Sequence, residues 1–321
     1  MGILGFLNNT RTFDPDTDIG DLTNKVILVT GGNVGLGKQT ILELAKHSPA
    51  HIYLAARNPK KAQAAITDIQ QRLSPSCTPP PITFLELDLS SLQSVHAAAQ
   101  AFLAVEARLD VLVLNAGILA VMPPAVTPDG YEIHFGTNHV GHALLTRLLL
   151  PALRTTRATV DDVRVVVLTS AGHNWAPVNV GIDFAAVKAP AESLTSRGRY
   201  GQSKLANALW ARELARRHPE ITVVAVHPGM VATNIFQNAS ERSWLIRNVV
   251  VPFGTINVEE GVKNQLWAVA APSEDVVSGE YYEPVGRLGR NSGWVRNEDL
   301  ARRLWDWTES ELDVWAGENG K

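Results

Sequence analysis

Hydrophobic positions along the chain fall into two alternating patterns. Short runs, apolar almost without interruption, occupy residues 25–30, 51–56, 82–87, 110–114, 163–169 and 221–226, with a last, shorter one about 280–282. Such runs, rich in Val, Ile and Leu, predict strands buried on both faces, as in a parallel sheet. Between them apolar residues recur at helical spacing: Ile41, Leu42, Leu44 and Ala45, then 59–73, 92–105, and a long segment from about Asp129 that runs to Leu150-Pro151. The pattern returns in a segment beginning at Arg199, in 258–271 and in an amphipathic close over 298–315. Strand and helix alternating this often predict an α/β fold, a doubly wound, mostly parallel seven-stranded sheet with helices on both faces. In such sheets ligands collect at the carboxyl ends of the strands.

The division expected is a polar N-terminal extension, 1–21, followed by one domain, 22–321. The proline-rich stretch 74–81 is too short to separate domains, and 172–198 reads as a long loop over the mouth of the site.

Chemistry enters where the runs end. The first stops at Thr30-Gly31-Gly32-Asn33-Val34-Gly35-Leu36-Gly37 and passes straight into a helix. Strand, glycine turn and helix in that order suit a dinucleotide, because glycines let the backbone approach a pyrophosphate while the helix N-terminus offers free amides. The second run ends at Ala56-Arg57, 20 residues past Gly37, where the adenosine ribose is read. A cation there suits the 2′-phosphate of NADP, whereas an acid would suit NAD. Asp88 and Asn115 fall at the ends of the third and fourth runs, and Ser170 follows the fifth.

Tyr200 and Lys204 lie four residues apart in Arg199-Tyr200-Gly201-Gln202-Ser203-Lys204-Leu205-Ala206-Asn207, so a helix sets them on one face, about one turn apart. A phenol titrates near ~10 and a general acid or base works best near operating pH, so a neighbouring ammonium is expected to lower it by roughly 3 units. Asn138 interrupts an otherwise packable helix, and His139 and His142 have a metal-ligand spacing with no supporting cluster, which assigns them to structure and predicts no metal.

Composition narrows the reading. A net charge of −3 and a pI of about 6.3 give no basic field for nucleic acid. Cys77 is the single cysteine, which leaves neither an intramolecular disulfide nor a thiolate metal cluster. With no apolar run near the ~18 residues a membrane span needs, the expectation is a cytoplasmic protein without a transmembrane segment. Asn8-Asn9-Thr10 and Asn238-Ala239-Ser240 then stay unmodified.

Thr30-Gly31-x-x-x-Gly35-x-Gly37, Asn115-Ala116-Gly117, Asn138, Ser170, Tyr200-x-x-x-Lys204 and Pro228-Gly229 stand in order, and over about 22–286 the chain resembles the short-chain dehydrogenase/reductases of compact, single-domain Rossmann type. Retinol-dehydrogenase-like and WW-domain-oxidoreductase-like members are the most similar. The resemblance implies an NADP(H)-dependent oxidoreductase that moves hydride between nicotinamide and a carbonyl or alcohol. Tyr200 would transfer the proton, Ser170 would hydrogen-bond the substrate oxygen, Lys204 would lower the tyrosine and hold the nicotinamide ribose, and Asn138 would keep a relay water. The cofactor would touch Gly31, Asn33, Gly35, Leu36, Gly37, Arg57, Asp88 at the adenine, Leu89, Asn115 near the ribose, Gly117, Tyr200, Lys204, Pro228, Gly229, Val231 and Thr233. The apolar segment 231–258 corresponds to a mobile lid in the family; an interfacial anchor would need a basic face that Arg242 and Arg247 barely provide. An apolar lid implies an apolar or aromatic ketone or aldehyde. Two other readings use the same residues, a non-catalytic NADP(H) sensor and a lyase or epimerase. Partners are a small-molecule carbonyl or alcohol, with homodimer and homotetramer both left open.

Overall fold

The structure, a computed structural model, describes residues 12–74, 78–231, 256–289 and 293–319. Eight strands form one sheet: β1 (Val26–Thr30), β2 (His51–Ala56), β3 (Ile82–Glu86), β4 (Val111–Leu114), β5 (Arg164–Leu168), β6 (Thr222–Val226), β7 (Tyr281–Glu283) and β8 (Arg287–Leu288). Their order is β3-β2-β1-β4-β5-β6-β7-β8. All pairings are parallel except β7 with β8, which run antiparallel. The eighth strand corrects the expected seven. It has two residues, too few to show any hydrophobic period, and it exists through its register on Tyr282 and Glu283.

The chain winds outward from β1 in one direction and from β4 in the other. Their carboxyl ends therefore diverge and open a crevice between them. Alternation along each strand fills two cores. Ile27 and Val29 face helices α1 (Gly35–Ala45), α2 (Pro59–Arg72) and α6 (Lys263–Ala270). Leu28, Leu112 and Val165 face α3 (Leu92–Leu103), α4 (Gly141–Arg157) and α5 (Ser196–Arg217), with α7 (Glu298–Asn319) packed outside α5. Phe13 and Ile19 of the N-terminal stretch are buried in the first of these cores.

Helix ends follow their caps. Asn58 accepts from Lys61 N at 2.9 Å ahead of α2, and Thr195 accepts from Gly198 N at 3.0 Å ahead of α5, as short polar residues do at first turns. Pro151 does not end its helix. α4 continues to Arg157, because Ala152, Leu153 and Thr156 keep its buried stripe going, and packing outweighs the roughly 3 kcal/mol a mid-helix proline costs. Segment 172–198 is more built than a loop: it holds 3-10 turns at Ala171–Trp175 and Ala186–Lys188, with Ile182 and Val187 buried. The C-terminal helix runs past the expected Trp315 to Asn319. Its tryptophans pack, Trp305 stacking on Trp210 with ring centroids 6.3 Å apart. Of the expected lid, residues 232–255 lie outside the described residues; Val231 is buried and bridges to Ile256. Among the described residues no helix is long and apolar enough to cross a membrane.

Candidate active site

The glycine turn is held by lack of space. Gly31 and Gly35 have φ of +67° and +54°, a region that costs a residue with a Cβ about 1–2 kcal/mol. At Gly37 a Cβ would press on Gly31 O and come within 2.5 Å of Asn115 Nδ2, so only glycine lets α1 start directly beneath the turn. α1 begins without a side-chain cap, unlike α2, α3 and α5, which leaves its first amides free for an anion. Asn33 and Leu36 are half-buried beside it.

Asn115, expected near a ribose, donates to Thr30 O at 2.8 Å and so clamps β4 to the end of β1. Arg57 is exposed at the end of β2, and among the described residues it has neither an ion-pair nor a hydrogen-bond partner. Asp88 accepts from both the amide and the hydroxyl of Ser90 through Oδ1, at 2.9 and 2.7 Å. Leu89 is buried against the start of α4, where Gly141 leaves room for its carbonyl.

The second half of the site is made from side chains. Tyr200 is half-buried in the first turns of α5, and Lys204, one turn on, is buried with Nζ 5.9 Å from the tyrosine ring centroid. Nζ donates to Leu168 O at 3.0 Å. Burial pushes the Tyr200 hydroxyl up to about 12, a hydrogen bond with Ser170 pulling the other way; burial also brings the Lys204 ammonium down to about 8. The expected lowering of the tyrosine by the lysine is therefore overturned in the chain alone. Desolvation of the phenolate wins, and the ammonium is bonded to a strand carbonyl. Tyr200 holds its proton at neutral pH.

Ser170, at the carboxyl edge past β5, accepts from Gly172 N at 3.0 Å. Asn138 sits in a π-helical segment, Gly136–Val140, between the short α-turn Ile133–Phe135 and α4. Widened turns of this kind recur at functional sites. Asn138 Nδ2 donates to Ile118 O at 3.1 Å and to Ser203 Oγ at 2.9 Å, while Oδ1 accepts from Ile118 N at 2.8 Å. Ser203 Oγ donates to Tyr200 O at 2.8 Å. His142 bridges Thr30 Oγ1 and Asn138 O, both at 2.9 Å, and burial holds it down to about 4, hence neutral. His139 pairs with Thr308 Oγ1 at 3.0 Å. A Cβ on Gly117 would lie 3.2 Å from Asn138 Oδ1 and 3.4 Å from Lys204 Nζ, so this residue borders the reacting groups. Pro228 and Gly229, with φ of +89°, follow β6 at the same sheet edge, and Val231 is buried; Thr233 lies outside the described residues.

Two features escaped the sequence reading. The Trp175 ring lies 6.2 Å from the Tyr200 ring yet stays 46% exposed. Residues 118–122, Ile-Leu-Ala-Val-Met, are apolar, none is buried, and they leave β4 beside Gly117. An apolar run after a strand carries no signal that separates a ligand wall from core.

The short chain dehydrogenase family matches residues 25–244. Short-chain dehydrogenase/reductase drtF of Aspergillus calidoustus is 41% identical over 306 residues, covering 91% of this chain and 94% of its own. Retinol dehydrogenase 12 of Mus musculus is 36% identical over 287 residues, covering 89% and 85%. Among solved structures, an uncharacterized protein of Mycobacterium paratuberculosis matches with a TM-score of 0.71 at 27% identity, over 94% of this chain and 97% of that one.

Proposed function

The chain belongs to the short-chain dehydrogenase/reductase family, and from that premise we propose that it is an NADP(H)-dependent reductase of apolar or aromatic aldehydes and ketones. The observation that carries the reading is Tyr200 one helical turn from the buried Lys204, whose Nζ lies 5.9 Å from the tyrosine ring centroid, with the half-exposed Trp175 beside it. The cradle fits a dinucleotide: Gly31 and Gly37 leave room where side chains would intrude, Gly35 takes a left-handed φ, α1 starts uncapped, and Arg57 is a cation without a protein partner among the described residues. Arg57 suits a 2′-phosphate, which favours NADP over NAD.

NADPH, when bound, supplies a hydride to the carbonyl carbon. Tyr200 gives its proton to the carbonyl oxygen as negative charge builds there, a general-acid step worth about 10²–10⁴-fold. Ser170 donates a hydrogen bond to the same oxygen. Lys204, held from below by Leu168 O, would hold the nicotinamide ribose and add a positive field where the alkoxide forms. Asn138 holds the wall at Ile118 and the backbone of Tyr200 through Ser203, a positioning role beside the relay water that the family resemblance implies for it. The apolar 118–122 stretch and Trp175 would leave a charged substrate without partners once water is excluded, which disfavours charged sugars. Similarity to a retinol dehydrogenase agrees in sense, since retinol is an apolar alcohol.

A panel of aliphatic, aromatic and sugar carbonyls, followed by NADPH absorbance, tests the reading. Turnover is expected on aromatic and long aliphatic carbonyls and not on charged sugars. Tight NADPH binding with no turnover of any member would replace the reductase with a cofactor sensor.

A further inference from the structure

Immediately before the catalytic tyrosine stands the largest fully buried side chain of the described residues, Arg199. Its Nε lies 3.5 Å from Glu132 Oε1, its NH1 donates to Leu194 O at 2.7 Å, and its NH2 reaches Val121 O at 3.1 Å and Met122 Sδ at 3.2 Å. Glu132 is equally buried. Oε1 is 2.7 Å from His134 Nδ1, Oε2 accepts from Phe135 N at 2.8 Å, and the Glu132 amide donates to Val187 O at 2.8 Å. His134 Nε2 accepts from Val121 N at 3.3 Å, which puts its proton on Nδ1, facing Glu132. The imidazole meets the Tyr200 ring edge-on at 6.4 Å.

Stability does not explain such a cluster, since buried ion pairs can often be replaced by apolar residues without loss. What it holds is the apolar stretch beside Tyr200. Val121 has its N–H bound by His134 and its C=O by Arg199, while Ile118 has both backbone groups bound by Asn138. Between these pins Ala120 sits at φ +60°, a left-handed conformation that a residue with a Cβ keeps only when its surroundings over-determine it. We infer that Glu132, His134 and Arg199 are positioning residues that fix 118–122 as a rigid apolar wall next to Tyr200, and so set the size of carbonyl compound that reaches its proton. The inference deepens the reductase reading and rests on it for the substrate class.

Two variants test it. Glu132→Gln combined with Arg199→Met removes both charges together, so neither is left unpaired; Arg199→Lys keeps the charge and loses the fork. Hydrogen exchange reads the wall without turnover, and kinetic constants for propanal, benzaldehyde and 2-naphthaldehyde read its consequence. In the double variant the amides of 118–122 should exchange about 10-fold faster while those of α5 keep their protection. The ratio of kcat/KM for naphthaldehyde over propanal should shift by about 10-fold, carried by KM. Arg199→Lys should show both changes at smaller size, and it decides the matter if the double variant does not fold. Unchanged exchange at 118–122 would overturn the inference, as would an equal fall in kcat on all three aldehydes with their ratio kept. A wild type that reduces none of them defeats the reductase reading, while the exchange rates still decide whether the cluster holds the wall.

Discussion

The half of the site around Gly31–Gly37 and the half around 118–122 and Tyr200 are held by opposite means. The first is backbone fitted to backbone within one short stretch, with Asn115 as its bracket from a distant strand. The second is assembled by side chains reaching over long sequence separations, Asn138 to Ile118 across 20 residues and Arg199 to Val121 across 78. A cradle defined by absent volume fails when volume is added. A wall defined by hydrogen bonds and buried charge fails when a partner is removed. Mutations in the first half should therefore act on cofactor affinity, and those in the second on turnover and selectivity.

The sharpest test of that division is Tyr200→Phe. Only the hydroxyl is lost, so NADPH affinity and the unfolding midpoint should hold while kcat falls by about 10²–10⁴-fold; unchanged turnover would remove Tyr200 as the acid. Gly37→Ala should do the converse. The added methyl forces the turn away from Gly31 O, and NADPH binding by fluorescence titration should weaken about 100-fold with selectivity among aldehydes preserved.

Lys204 lies in the second half, and its burial is legible in stability. With its pKa down at about 8 from 10.5, the folded chain carries a buried ammonium below about pH 8 that the unfolded chain solvates. Lys204→Met should remove a penalty of about 3 kcal/mol and raise the midpoint at neutral pH, while turnover drops. The gain should shrink as pH climbs above about 8, since the wild-type lysine then folds neutral. A variant less stable at neutral pH would mean that the Leu168 contact outweighs desolvation. Smallest is Arg57→Asp, which should weaken NADPH about 10-fold and reverse the preference toward NADH; competing titrations at one ionic strength measure it, and a wild type that prefers NADH would contradict the assignment.

The same division explains what could be read in advance. Strands β1 to β7 and the glycine turn follow from runs and spacings within a few residues, and the Tyr200–Lys204 face follows from helical geometry. The direction of the Tyr200 shift did not, because it depends on burial by distant segments, which no local spacing records. Asn115 was placed at the correct strand end, but its use as a clamp on Thr30 depends on the register between β1 and β4. Glu132 and His134 look like an ordinary helix entrance. Nothing near them points to Arg199, although that arginine stood in the most informative stretch of the chain.

The two-residue strand β8 has a consequence for how copies of this chain can meet. It lies along β7 as a stub, so β7 does not offer a long row of free amides and carbonyls for another sheet to pair with. At the opposite margin β3 follows Pro79-Pro80-Pro81 and turns Thr83 and Glu86 to solvent. Short stubs, prolines and charges at sheet margins discourage strand addition and the aggregation that begins with it.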